Sequence, residues 1–273
     1  MRLQEKYQQL RNTSAALLAT NFYNFETLEG VLQAAAQCNS PIILQLTRSS
    51  IEYMGLPMAF QLAKSAIAYH GVEAWIHLDH GDSIELVAKC LDAGFDSVMI
   101  DASEKPFHEN IQHTQKVVAL ASKYDACVEA ELGYVAKLGQ SAEKLGFTMP
   151  EEASQFVDET GVDALAVAIG TSHGFYKQEP RLDLERLSSI REATNAALVL
   201  HGGSGVPHAT LTKAIAGGIC KINLATEIKN IFMKSLKAKL KNETEIDLRK
   251  VFPVAIEAVT MLVTEKLNVV NKK

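Results

Sequence analysis

Short runs dominated by Ala, Val, Ile and Leu recur along the chain at 17–24, 41–47, 74–79, 96–101, 126–131, 164–169, 197–201 and 220–224. Between them apolar residues return at helical spacing, as in Leu28, Val31, Leu32 and Ala35, or in Ile84, Val87, Ala88 and Leu91. Apolar strands alternating with amphipathic helices mark consecutive βαβ units, because each parallel strand is buried on both faces and the crossover helix covers one of them. Eight units in succession predict an α/β protein, a closed (β/α)8 barrel. An open doubly wound sheet shares this alternation, but it usually begins with a glycine-rich first turn, and residues 21–25 contain no glycine. No Pro/Gly/Ser-rich linker interrupts the pattern, so residues 1–273 read as a single barrel domain. The longest interval between elements, 133–148, mixes Gly, Lys, Gln and Ser and reads as a mobile loop of the kind that covers a barrel mouth.

Composition narrows the classes without changing this picture. A length of 273 residues suits a barrel of roughly 250. With 47% hydrophobic and 22% charged residues, wholesale disorder and fibrous architectures drop out. A net charge of −5 argues against nucleic acid as a partner, and Lys234, Lys237, Lys239 and Lys241 read as the solvated face of a helix. No apolar run reaches the roughly 20 residues that cross a bilayer, so no membrane partner is expected. The polar start and four well-separated cysteines, Cys38, Cys90, Cys127 and Cys220, predict reduced thiols in a cytoplasmic protein.

Candidate chemistry sits at the ends of the predicted strands, which a barrel gathers on one rim. His80, His173 and His201 follow strands 3, 6 and 7. Three neutral imidazoles leave a fourth position open on a catalytic Zn²⁺, although cobalt or iron would accept the same donors. His77 either faces inward behind these ligands or packs as a core residue. Asp79 precedes His80 and can share its direction only if the chain bends there, in which case it is a general base beside the metal. Asp101 and Glu131 either hold a second cation or orient the histidines; a helix cap and a buried salt bridge are their structural alternatives. After strand 7, Gly202-Gly203-Ser204-Gly205 leads into a helix, and strand 8 delivers Asn223-Leu224-Ala225-Thr226. An isolated GGSG would read as an ordinary turn and cap, but loops 7 and 8 are the recurrent phosphate site of this barrel.

These residues resemble the class II, zinc-dependent ketose-bisphosphate aldolases, which include fructose-1,6-bisphosphate and tagatose-1,6-bisphosphate aldolases. The likeness runs from Tyr23-Asn24 through HLDHG (77–81), DAGFDSVMIDAS (92–103), VEAELG (128–133), AVAIGTSHG (166–174), LVLHGGSG (198–205) and KINLATE (221–227). It implies His80, His173 and His201 as Zn²⁺ ligands and Asp79 as catalytic acid/base, with Asp101 and Glu131 at or near a second divalent site. It implies a substrate site that includes Asn24 and Thr47, the latter where the family usually has Ser. Gly174, Gly202, Gly203, Ser204, Asn223, Ala225 and Thr226 would cradle the phosphate of dihydroxyacetone phosphate (DHAP). A monovalent cation, Na⁺ or K⁺, near the phosphate loops and a homodimer or homotetramer are also implied. Arg249, in DLRKVF, resembles an arginine that reaches a neighbouring subunit's site to hold the far phosphate; a helix-cap arginine is the alternative.

The family commonly follows VEAELG with a GGxED-type loop whose glutamate handles the C4 hydroxyl proton. Here the paired glycines and acidic pair are missing, and Glu143 is the nearby carboxylate. The expected reaction is reversible cleavage of a ketose 1,6-bisphosphate, fructose first and tagatose next, into DHAP and an aldehyde such as glyceraldehyde 3-phosphate. The altered loop keeps a different phosphoketose open, as well as a non-catalytic sugar-phosphate-binding barrel.

Overall fold

The computed structural model describes residues 1–133, 135, 146–176, 178–241 and 244–271. Eight strands pair in parallel and in sequence order, and the last closes on the first. They are β1 (Leu17–Asn21), β2 (Ile42–Leu46), β3 (Ala74–Gly81), β4 (Ser97–Ile100), β5 (Cys127–Leu132), β6 (Ala164–Val167), β7 (Ala197–Leu200) and β8 (Ile219–Leu224). Around them run α1 (Leu3–Leu10), α2 (Phe25–Gln37), α3 (Arg48–Met54), α4 (Leu56–His70), α5 (Ile84–Ala93) and α6 (Phe107–Ala121). The ring continues through α7 (Pro150–Thr160), α8 (Leu184–Ala193), α9 (His208–Ala216), α10 (Thr226–Leu240), α11 (Leu248–Val251) and α12 (Pro253–Val270). This is the predicted (β/α)8 barrel.

Two layers of core follow from the strand alternation. Leu18, Leu44, Leu78, Val98, Val128, Leu165 and Leu198 pack outward against the helices. Their neighbours Leu17, Ala19, Ile43, Trp75, Cys127, Ala164, Ala197 and Val199 fill the barrel interior. Helix α1 stoppers its lower end by burying Leu3 and Tyr7 in that inner cluster, and Trp75 Nε1 donates to Met1 O at 3.1 Å. On the outside of the barrel α12 completes the helical ring against α2. There Gly30 permits contact that a side chain would forbid, since a Cβ would lie 2.8 Å from both Ile256 O and Val259 Cβ.

The inward positions turn from apolar to polar as the strands rise. Asn21, Gln45, His77, Asp79, Glu129, Glu131, His201, Lys221 and Asn223 are all buried. Two irregularities decide which of them face in. Between Leu78 and Gly81, β3 carries one more residue than β4 spans from Val98 to Ile100. In β8 the pairing skips Cys220, with Leu198 against Ile219 and Val199 against Lys221. Such bulges re-aim side chains. The second turns Lys221 and Asn223 into the barrel while Ile222 and Leu224 join the outer core.

Candidate active site

The bulge in β3 resolves how two adjacent residues serve one cleft. His80 adopts a left-handed backbone, φ 51°, rare outside glycine and worth attention where it occurs. It carries His80 round to the side that Asp79 faces, leaving His80 Nε2 4.0 Å from Asp79 Oδ1. His173 arrives from the loop after β6 and His201 from the end of β7. The His80 ring centre lies 5.0 Å from that of His173 and 4.8 Å from that of His201. One nitrogen from each ring lies within 4.8 Å of the others. Three imidazole nitrogens gathered this closely are a donor set that Zn²⁺ takes.

Neighbouring carboxylates set which nitrogens are available. Asp101 Oδ2 accepts from His80 Nδ1 at 2.8 Å, freeing Nε2, while Asp101 Oδ1 is held by the Ser103 amide and hydroxyl. His201 Nε2 donates to Glu129 Oε1 at 2.9 Å, which frees Nδ1. That Nδ1 lies 3.1 Å from Glu131 Oε2, yet neither buried atom has an aligned hydrogen-bond partner. A cation seated among the imidazoles satisfies both, so the residues present fit a divalent metal ion. Asp101 therefore orients His80 rather than joining the three-histidine set, and Glu131 abuts the set through His201.

Charge states follow from this packing. Burial opposes a charge on His201, but Glu129 and Glu131 push its pKa up to about 10. Burial and the neighbouring imidazoles bring His173 down to about 3. Burial also favours a neutral Asp79, yet His80, His201, Lys221 and an Asn21 hydrogen bond together hold it below the usual carboxylate range. The Asn21 amide donates to Asp79 Oδ2 at 2.9 Å.

Beneath the cleft lies a charged chain that sequence reasoning did not assemble. Lys221 Nζ donates to Glu129 Oε2 at 2.6 Å and lies 3.3 Å from His77 Nε2; His77 Nδ1 meets Ser97 Oγ at 2.9 Å. Lys221 and His77 are fully buried. Burial and then Lys221 bring His77 to about 3, so it is a neutral spacer. Against burial, Lys221 keeps Glu129 well below the carboxylate range.

The loops after β6, β7 and β8 are tied together. Tyr176 Oη donates to Gly202 O at 2.8 Å and accepts from Ser172 N at 2.9 Å, joining the loops after β6 and β7. Gly202 needs its left-handed φ of 69°, and a Cβ there would sit 2.4 Å from Ser172 O. Ser204 Oγ accepts from Glu227 N at 3.3 Å, docking this loop on the start of α10. The resulting cleft, about 250 Å³, is lined by Asp79, His80 and His173 on one side and by Gly174, Gly202, Ser204, Asn223, Ala225 and Thr226 on the other. Thr47 lines it as well while capping α3. Larger concavities of about 390 and 460 Å³ beside α1 bring together no comparable donor set.

Three expected contacts fall elsewhere. Asn24 is spent on capping α2, where it accepts from Thr27 N at 3.0 Å and Thr27 Oγ1 at 2.7 Å; Asn21 and Tyr23 line the cleft instead. The Gly203 amide donates to Asn223 O at 3.1 Å, bracing the cradle from outside its lining. Arg249, with a side chain 90% exposed, is paired with Asp247 and does not line this chain's cleft. Arg48, at the start of α3, is committed to Asp82 and Ser83. Glu143 lies outside the described residues. The base of its loop is pinned where Thr148 Oγ1 donates to Leu132 O and accepts from Ala168 N, joining the tops of β5 and β6.

The profile of the family "Fructose-bisphosphate aldolase class-II" matches residues 1–273. The chain belongs to the class II fructose-bisphosphate aldolase family. Among solved structures, the YdjI aldolase from Escherichia coli K12 is 31% identical at a TM-score of 0.87, with 99% of this chain and 97% of that one covered. A candidate fructose-1,6-bisphosphate aldolase from Coccidioides immitis is 28% identical at a TM-score of 0.89, covering 99% and 96%. The fructose-bisphosphate aldolase of Campylobacter jejuni shares the fold, with 22% identity, a TM-score of 0.83 and coverage of 99% and 95%. As in the rest of this aldolase family, a phosphorylated sugar is the class of substrate.

Proposed function

We propose that this aldolase uses a divalent ion, Zn²⁺ first, held by His80, His173 and His201. Its reaction is the reversible cleavage of a ketose 1,6-bisphosphate into DHAP and an aldehyde. The observation that carries the reading is the convergence of three imidazoles, a buried carboxylate and a backbone cradle on one cleft. When bound, the ion supplies Lewis-acid polarisation of the C2 carbonyl. The chain's own groups do the rest. Gly174, Gly202, Ser204, Asn223, Ala225 and Thr226 hold the DHAP phosphate at the start of α10, where amide groups and the helix dipole favour an anion. Loss of the C4 hydroxyl proton breaks the C3–C4 bond, releases the aldehyde and leaves the electron pair on the DHAP half. Asp79, held by Asn21 and ionised at rest, takes the C3 proton of DHAP in the condensation direction; in cleavage it first picks up a proton from water and then delivers it to C3. The C4 proton is assigned to Glu143 on sequence grounds.

Fructose 1,6-bisphosphate is the leading substrate, tagatose 1,6-bisphosphate the next, and another phosphoketose follows if the altered 134–143 loop selects it. Arg249 contributes only if a second copy brings it to this cleft, which fits the proposed homodimer or homotetramer. Glu131 and Asp101 are the groups nearest a second divalent ion, and the phosphate loops would take Na⁺ or K⁺. Four free cysteines fit the proposed cytoplasmic setting.

The test is cleavage of fructose and tagatose 1,6-bisphosphates by zinc-loaded protein, with DHAP formation followed and a chelated control. Metal-dependent DHAP release supports the reading. DHAP binding without release from any ketose phosphate would replace it with a binding barrel.

A further inference from the structure

Asp79 is the one carboxylate among the described residues that line the cleft, yet a phosphate dianion would bring two further negative charges into it. Among the described residues that line the cleft, Lys229 is the one lysine or arginine. It sits one turn beyond Ala225 and Thr226 on α10, its amide bonded to Ala225 O at 3.3 Å, so its side chain leaves the same helix start that forms the cradle. A lysine in a first helical turn opposes the helix dipole, a placement that costs stability unless an anion is present. Among the described residues no carboxylate pairs with Lys229; its ammonium lies over the Tyr23 ring, 5.4 Å from the centre. Tyr23 also lines the cleft. The aromatic face steadies the cation without neutralising it, as a carboxylate would. Lys234, Lys237 and Lys239, further along α10, do not line the cleft.

We propose that Lys229, steadied by Tyr23, is a cation that recognises the substrate phosphate held at the start of α10. The role rests on the aldolase reading above and adds to it a residue that distinguishes phosphorylated from unphosphorylated substrates. Because Lys229 is exposed, its substitution leaves the core untouched.

The test compares Lys229→Met and Lys229→Arg with the parent protein, all zinc-loaded, in two assays. The first follows deuterium exchange at C3 of DHAP as a function of DHAP concentration. Lys229→Met is expected to raise the half-saturating concentration about tenfold or more, equivalent to roughly 1.4 kcal/mol, with the maximal rate changed less than about twofold. Lys229→Arg keeps the charge and is expected to recover most of the loss. The second assay titrates inorganic phosphate by calorimetry, which needs no turnover; its affinity is expected to fall by a similar factor in Lys229→Met. Unchanged affinity for both DHAP and phosphate overturns the role. So does a defect confined to the phosphate of the aldehyde partner, because that would place Lys229 at the far end. Failure of the parent protein to exchange the C3 proton would instead count against the aldolase reading, and the phosphate titration would still decide the role of Lys229.

Discussion

Removing the charge of Lys221 is the sharpest perturbation of the buried scaffold. At 2.6 Å from Glu129 Oε2, with both side chains buried, the ammonium contributes about 6 kcal/mol of attraction at an effective dielectric of about 20. Desolvation of both ions offsets most of that gain, so the pair as a whole adds little net stability. Breaking it is another matter, because Glu129 then keeps the His201 hydrogen bond but loses the lysine that offsets its buried charge, at a cost of up to about 3–5 kcal/mol. Lys221→Met in metal-free protein should therefore lower the melting temperature by roughly 6–20 °C for a chain of this size. Glu129→Gln strands Lys221 instead and should cost a similar amount. The double variant removes both charges and should recover most of the loss, giving a coupling of at least about 2 kcal/mol. Urea unfolding of the four proteins reads this directly. Zinc affinity reads the other end of the chain, since loss of the Glu129 support to His201 should weaken binding about 10–100-fold. Additive effects, or single-variant losses below about 1 kcal/mol, would refute the reasoning.

Other outcomes are equally specific. Asp79→Ala should retain zinc while C3 proton exchange of DHAP falls about 10²–10⁴-fold; loss of zinc content would show that Asp79 serves the metal instead. Removing a ligand in His173→Ala should abolish zinc retention and turnover together, checked by metal analysis after dialysis. Because the metal-free His201 has a pKa near 10, it carries a proton at neutral pH that metal uptake must release. Zinc affinity should accordingly rise with pH above neutrality, by about tenfold per unit for each proton released; His80, whose pKa Asp79 and Asp101 raise against burial, acts in the same direction, whereas His173, near 3, is already neutral and adds nothing. Calorimetry in buffers of different ionisation enthalpy counts the released protons, and a count of zero would contradict the arrangement. Glu143→Ala should slow cleavage of the bisphosphate while sparing DHAP proton exchange; an unchanged cleavage rate would remove Glu143 from the mechanism.

Apolar runs and strand-end histidines were enough to give the barrel and the meeting of His80, His173 and His201, because both depend on local pattern and on a topology that fixes where strand ends meet. Boundaries shifted where side chains intervened. Strand β1 stops at Asn21, short of the expected 24, because Asn24 caps the following helix. What stayed hidden was non-local. The alternation of Cys220, Lys221, Ile222, Asn223 and Leu224 does not disclose that a bulge skips Cys220, so nothing in the sequence turns Lys221 toward a glutamate 92 positions away. The left-handed turn at His80 is equally silent, although adjacent Asp79 and His80 serving one site required some bend. Nothing in the sequence singles out Lys229; only the placement of α10 beside Tyr23 brings it to the cleft.

The most direct measurement of the central claim is C3 proton exchange. Zinc-loaded protein is incubated with DHAP in deuterated water, and loss of the C3 proton signal is followed by NMR beside a chelated control. The account predicts exchange that depends on metal and disappears on chelation. DHAP that binds without exchanging its C3 proton would contradict it.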